Sequence, residues 1–349
     1  MKRACIAGLV ALSLGISAQA MAKDADAIDI LAGDFAGIAS LDIDKLFANK
    51  MINDSVDQNQ SALGEAEKAL KFLKDIGVDY KKDIDLVTVA FTDKGNVCSA
   101  VDAKKAINAL FDEQVKKNNV ASADHNGNKI YTYQGSSLAL LSDSRIVVCH
   151  KSLDIKPIID NAKADKVKDL KSRDAALYQA YAKTTAGSDI RVAVKMTDAL
   201  KKEVKDFKLD GEPGKSISLT DADSASISIA FADGLNLNVI AQTKSDAVAK
   251  DGASIINAAV MPILSDPSMA ELGIGFIKDA VKISAAKKDL TANVKFSDSQ
   301  METLVGLLGG MMATAAPVPG KTKAAPKAAP AAAAPAPKAA PAAAVPAQK

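Results

Sequence analysis

The chain has 349 residues, enough for two ordinary domains and a sizeable core, with a net charge of +2 and no tryptophan. Aromatic residues make up only 4% of it, which argues against a stacking platform for bases or sugars, and a charge this small is not the basic footprint of a nucleic-acid binder. The charge is also uneven: Lys2 and Arg3 stand at the start, Lys321, Lys323, Lys327, Lys338 and Lys349 at the end, and the body between them is acidic at −5.

Residues 1–22 have the layout of a secretory signal peptide: two cations, an apolar run from Cys5 to Ile16, then small residues with Ala20 or Ala22 as alternative ends. The run is too short to span a membrane, and Cys5 stands at its start rather than after it, so no lipid-attachment site is read and the mature chain is expected to be exported, periplasmic or secreted, without a transmembrane span. Removal of the signal leaves Cys98 and Cys149, an even count for an oxidising compartment. They are candidates for a disulfide, with two buried free thiols as the other reading.

Phe35 to Ile43 reads as a strand, with Asp44 as N-cap of a following helix to Val56, and a second helix from Ser61 to Ile76 repeats Leu63, Ala66, Leu70 and Leu73. Asp85–Thr92 and Val97–Val101 form a hairpin, and Ala103–Lys117 a helix with Ile107, Leu110, Phe111 and Val115 inward. The clearest sheet signal is 129–151, where Tyr131, Tyr133, Leu138, Leu140, Ile146 and Val148 alternate and Gly135-Ser136 and Asp143-Ser144 make turns. A helix from Ser152 to Ala164 follows.

The charged run Lys163–Asp174 marks a boundary, so the first unit is 23–165 and the second 166–312. Beyond it come a helix (Ala175–Lys183), a strand (Asp189–Met196), a helix capped by Thr197 or Asp198, a loop at Lys208–Lys215, and a hairpin about Asp233-Gly234. A helix from Ser245 to Leu264 is broken at Pro267 and resumes to Ala280. Strands Val281–Ala286 and Leu290–Phe296 then lead to a last helix, capped by Ser297 or Asp298 and ending at Met312.

Val87 to Leu110 and Ile227 to Val248 share the order strand, Asp-containing turn, strand, polar cap, helix, with Ala-Phe at the same point before the turn. The fold class expected is α+β, two similar units with antiparallel sheets packed by helices, repeated at about 140 residues. Residues 313–349 hold eight of the twelve prolines among alanines and lysines and cannot bury enough apolar surface to order, so they are expected to be a disordered arm.

No catalytic set stands out. His125 lies in a polar stretch, and His150 follows Cys149 in a strand, where neighbours point to opposite faces. Gly214-Lys215-Ser216 and Gly320-Lys321-Thr322 lack the earlier glycine of a phosphate loop. Asp124, Asn126 and Asn128 begin like a calcium loop, but Lys129 replaces the turn glycine and Gly135 the bidentate Glu. No zinc spacing and no cofactor motif are found. Met301, Leu304, Leu308 and Met311 make the last helix apolar over most of its surface. It either closes the core of the second unit or offers a hydrophobic binding face.

Through VTVAFTDKG, YTYQGSSLALLSDSRIVV and its capped helices the chain resembles secreted bacterial proteins of unknown function that carry two α+β units. The resemblance implies a fold and a compartment and carries no site. The expectation is a non-enzymatic envelope protein that binds or scaffolds another envelope protein. Its five tail lysines would touch anionic cell-surface polymer or membrane. The alternative is a periplasmic carrier of a lipid-like ligand.

Overall fold

In this computed structural model residues 27–31, 34–50, 52–54, 78–117, 119–133, 135–164, 167–206, 208–210 and 216–314 are described, with side chains as far as Leu307. The expected signal peptide, the helix at Ser61–Ile76, the glycine-lysine pairs at 214–215 and 320–321, and the tail with Lys321, Lys323, Lys327, Lys338 and Lys349 lie outside them.

The first half runs α1 (Ala27–Ile30), β1 (Gly37–Asp42), α2 (Ile43–Ala48), β2 (Ile84–Phe91), β3 (Val97–Ala103), α3 (Asn108–Lys117), β4 (Ala121–His125), β5 (Asn128–Tyr133), β6 (Ser136–Leu140), β7 (Arg145–His150) and α4 (Lys156–Lys163). The second runs α5 (Leu170–Arg173), α6 (Ala175–Ala182), β8 (Ile190–Lys195), α7 (Asp198–Glu203), β9 (Lys208–Asp210), β10 (Ser216–Ser218), β11 (Ala222–Ala230), β12 (Leu235–Thr243), α8 (Asp246–Leu264), α9 (Pro267–Glu271), α10 (Ile277–Ala280), β13 (Val281–Ala286), β14 (Asp289–Phe296) and α11 (Asp298–Thr314).

The molecule is α+β, and its strands form one antiparallel sheet in the order β13-β14-β12-β11-β8-β1-β2-β3-β7-β6-β5-β4, with β9 and β10 as a separate hairpin. The sequence places a sheet in each half; the structure joins them, because β1 and β8 pair antiparallel with Gly37 opposite Val194 and Leu41 opposite Ile190. Outward from that seam, β1-β2-β3-β7-β6 is matched on the other side by β8-β11-β12-β14-β13. The described residues up to Val305 form one compact unit, and Gly306–Thr314, the rest of α11, belong to a second.

Each face of the sheet buries what strand alternation presents to it. On one face Ile38, Ala90, Cys98, Ala100, Val147, Cys149 and Ala193 pack under α1, α4, α5 and α6 through Ile30, Ile158, Leu170, Leu177 and Tyr181. On the other, Val101, Ile146 and Leu138 meet Phe111 of α3, Ala39, Leu41, Val87 and Val89 meet Ile43 and Leu46 of α2, and Leu290 meets Ala249 and Ala253 of α8. The first face continues through β11, β12 and β14 as Ser226, Ser228, Asn238, Thr291 and Asn293; Ser226 and Ser228 are buried and satisfied, Ser226 Oγ donating to the Ala180 carbonyl and Ser228 Oγ accepting the Thr185 N–H. α8 is long and apolar enough by length and composition to cross a membrane; here it lies along β13 and β14 with Ala249, Gly252, Ala253 and Ile255 buried.

Several local expectations are corrected. Asp42, not Asp44, caps α2, its carboxylate accepting from the Lys45 N–H, because Asp42 is the last extended residue. α2 stops at Ala48, with helical residues again at 50 and 52–54 after the break at Asn49, and α3 starts at Asn108, since 101–103 still pair with β2 and β7. The stretch 121–125, read as loop, is strand β4: its side chains are exposed and show no alternation, and the Asn126-Gly127 turn, with φ of 49° and 74°, folds it onto β5. The loop at 208–215 contributes β9, which pairs with β10.

The charged run about the expected 165/166 boundary contains α5. Leu170 is buried there, and Arg173 donates to the carbonyls of Ile28, Asp29 and Leu31 at the end of α1. Asn161 of α4 donates to the Asp29 carbonyl as well, so chain from either side of that boundary closes one core.

Candidate functional site

An open cleft of about 690 Å³ lies beside the β1–β8 seam. Three pieces of chain wall it. α2 and the turns after it bring Lys45, Ala48, Asn49, Lys50 and Asp54; the residue before β8 and the β11–β12 turn bring Asp189, Phe231, Ala232 and Gly234; the start of α11 brings Asp298, Met301, Glu302 and Val305. Helical spacing explains the last set, since 298, 302 and 305, and 301 and 305, fall on one side of a helix.

The floor is held by main-chain hydrogen bonds. Asp189 Oδ2 accepts the Phe231 N–H at 2.8 Å, and Asn49 Nδ2 donates to the Phe231 carbonyl at 3.0 Å, so both main-chain polar groups of that residue are clamped. Gly234 has φ of 100°, and a Cβ there would overlap the Phe296 carbonyl, so the turn must be glycine to sit against the start of α11. Ser297 Oγ accepts from the Gln300 N–H while Gln300 Oε1 accepts from the Ser297 N–H, which caps α11.

Charge on the rim is partly neutralised. Lys45 pairs with Asp42 at 2.7 Å and donates to the Gly187 carbonyl, and Lys50 pairs with Asp54. Asp189, only 3% exposed, has its carboxyl raised above the ordinary value by burial; the Phe231 N–H and the Lys45 ammonium oppose the rise, and Asp42 adds to it. Asp298 and Glu302 have no cationic partner among the described residues.

A second concentration of charge lies where β1, β2, β3 and β7 end. Lys104 pairs with Asp44, and Arg145 with Asp102, its cross-strand neighbour. Asp85 sits at the irregularity in β2 between Ile84 and Leu86, and burial together with Asp44 and Asp42 pushes its carboxyl up to about 6. Among the described residues no group of three or more His, Cys, Asp or Glu could hold a metal ion.

The structure separates the residues singled out by sequence. Cys98 and Cys149 are direct cross-strand partners on β3 and β7, with Cα atoms 4.0 Å apart and the sulfurs bonded. Met301 lines the cleft; Leu304 is half-buried and not part of the lining; Leu308 and Met311 lie on α11, their side chains outside the described part. Of the described side chains of α11 none is buried, so this part of the helix does not close the core, a task α8 performs.

His125 Nε2 and Asn126 Nδ2 both meet Asp160 Oδ1, at 2.7 and 2.6 Å, docking the β4–β5 turn on α4, and this is what became of the calcium-like residues. His150 Nδ1 contacts Ser152 Oγ at 2.7 Å, in an exposed turn where the Ser152 N–H also bonds the same nitrogen. That is a local turn, with no carboxylate behind the imidazole to orient it as a base among the described residues. Asp189, Phe231, Glu302 and Val305 were missed by sequence reasoning. The only signal was the alignment of Asp298, Glu302 and Val305 on one side of the last helix.

The chain is thus an α+β protein built on a single antiparallel sheet, with a cleft at the seam of its halves. No family model and no curated protein matches it. Among solved structures, crystal form III of TP0453 aligns with a TM-score of 0.43 and 9% identity, covering 81% of this chain and 98% of that one. Crystal form IV gives 0.43 and 8%, over 80% and 96%. A likeness this distant says nothing of activity or partner.

Proposed function

We propose that this is an exported, non-enzymatic envelope protein that docks a segment of another protein in the cleft between α2, the β11–β12 turn and α11. The observation that carries the reading is the cleft itself: a clamped floor, apolar contact groups in Phe231, Met301 and a 49%-exposed Val305, and a charged rim, all open to solvent. Such a groove suits an extended or helical segment with alternate apolar and polar contacts. Two cavities whose described lining is mainly apolar measure about 80 Å³, under the β9–β10 hairpin, and about 10 Å³, beside α3; both are far below the roughly 300 Å³ at which ligand pockets begin, so neither suits a lipid-like ligand.

The matching strand order on the two sides of the seam supports reading the halves as copies of one unit, with the cleft arising where the copies meet. The tail lysines Lys321, Lys323, Lys327, Lys338 and Lys349 are assigned to anionic envelope polymer, at about 1 kcal/mol per lysine near such a surface. Equal binding of full-length and tail-truncated protein to envelope fractions at low salt would remove that role.

The docking reading is tested with a photo-crosslinking residue placed at Val305 or Ala48, and at Ala286 on the far sheet edge as control, in the native envelope. A discrete protein adduct from the first two positions and none from Ala286 is expected. Native mass spectrometry showing a bound lipid-sized mass, with no adduct at Val305 or Ala48, would transfer the assignment to a carrier.

A further inference from the structure

Among its described residues the lining of the cleft is unbalanced. Asp54, Asp189, Asp298 and Glu302 stand against the described ammonium groups of Lys50 and Lys45, and both of those are engaged, Lys50 with Asp54 and Lys45 with Asp42 and the Gly187 carbonyl. Carboxylates in the first turns of a helix are ordinary, because the N-terminal dipole favours them, so Asp298 and Glu302 alone would mean little. Asp189 is different. Its side chain is buried, Oδ2 accepts the Phe231 N–H, and Oδ1 has no hydrogen-bond donor among the described residues, on a residue that lines the cleft. That oxygen is not sealed, since Thr88 Oγ1, Asn128 Nδ2 and Asn238 Oδ1 are the buried side-chain atoms without a partner among the described residues; it keeps its solvent contact on a residue that lines the cleft, and a charge-assisted donor entering there would take the place of water. Around it stand the apolar surfaces of Phe231, Met301 and Val305, which suit the methylene stem of a long cationic side chain.

Building on the docking reading above, we propose that the cleft recognises an arginine or lysine side chain carried on an apolar segment of a partner protein, its charged head directed to Asp189 and bracketed by Asp298 and Glu302. The aliphatic stem lies on Phe231 and Met301, and residues flanking the cation contact Val305 and Ala48. Lys45 limits how negative the floor becomes and opposes the rise that burial imposes on the Asp189 carboxyl.

The test uses full-length mature protein and three fluorescein-labelled peptides of alternating leucine and arginine, leucine and glutamine, or leucine and glutamate, with binding read by anisotropy. The arginine peptide should bind about tenfold tighter than the glutamine peptide, and the difference should shrink as salt rises. Asp298→Asn with Glu302→Gln, both exposed and unpaired, should abolish most of that difference. Asp93→Asn with Glu271→Gln, exposed carboxylates elsewhere, should leave it unchanged. Asp189→Asn retains an acceptor for the Phe231 N–H and should weaken the arginine peptide alone.

Equal binding of the arginine and glutamine peptides, or an equal loss in the control variant, overturns the proposal. Preference for the glutamate peptide overturns it too, while a crosslinked adduct at Val305 would leave the docking reading standing. If no peptide binds and no adduct forms at Val305 or Ala48, both readings fall.

Discussion

Breaking the Cys98–Cys149 link is the perturbation whose size the structure sets most directly. The two residues are 51 apart in sequence, and a cross-link closing a loop of that length removes about 4 kcal/mol of chain entropy from the unfolded state at 25 °C. At roughly 2 °C per kcal/mol for a chain of this size, that is a fall in Tm of about 8 °C. Both side chains are fully buried between β3 and β7, so the bond should resist reductant in the native protein and yield only once the sheet opens. The assay is urea unfolding, followed by circular dichroism, of the wild type with and without reductant and of the Cys98→Ala/Cys149→Ala variant. The variant should lose about 4 kcal/mol, plus a smaller amount for the two buried sulfurs. Wild-type protein incubated in urea with reductant should fall towards it. Alkylation in denaturant without reductant should label neither cysteine. Two labelled thiols in protein purified from its own compartment would refute the bond, and an unchanged midpoint in the variant would refute the loop-entropy argument.

Asp85 makes a pH prediction. Its folded pKa of about 6 lies above the ordinary 3.8, so the folded state binds the proton more tightly. The stability this contributes is complete below about pH 3.8, declines as pH rises, and is gone above about 6. Asp85→Asn should therefore gain stability at pH 7, by about 1 kcal/mol after allowance for solvent screening, and gain nothing at pH 4; urea midpoints at the two pH values compare them. Arg173→Met should remove the guanidinium hydrogen bonds to the carbonyls of Ile28, Asp29 and Leu31, with Asn161 still donating to that of Asp29, and cost about 3 kcal/mol, with amide exchange in α1 rising before that of β1, whereas uniform acceleration would mean α1 is not held by that residue. Gly234→Ala should cost more than about 3 kcal/mol and be seen as loss of soluble protein or a lowered Tm, because its Cβ meets the Phe296 carbonyl oxygen and its φ of 100° is strained for alanine. A fully stable variant would disprove the close packing of that turn on α11.

How much of this was legible depended on whether a residue's partner lay near in sequence. The β5–β6–β7 meander, the β11–β12 hairpin and the N-cap at Thr197, one of two candidates with Asp198, could be read directly, since alternation, turn chemistry and capping are decided within a few residues. β4 could not, because an exposed edge strand has no apolar period to display. Arg173 and Leu170 looked like part of a charged linker, and only the arrival of α1 makes them core. Asp189 read as the start of a strand, while its function in holding Phe231 depends on a turn 42 residues on.

Composition and local pattern by themselves determined the α+β class and the antiparallel hairpins between strands adjacent in the chain. Those follow from short-range physics: side-chain period, backbone preference and the chemistry of individual residue types. The tertiary structure alone decided that β1 and β8 join the halves into one sheet, that Cys98 faces Cys149, and that Asp189, Phe231 and α11 meet in a cleft. Edge-to-edge pairing uses main-chain groups that every residue carries, and a site at a seam is made of residues whose only relation is the fold that brings them together.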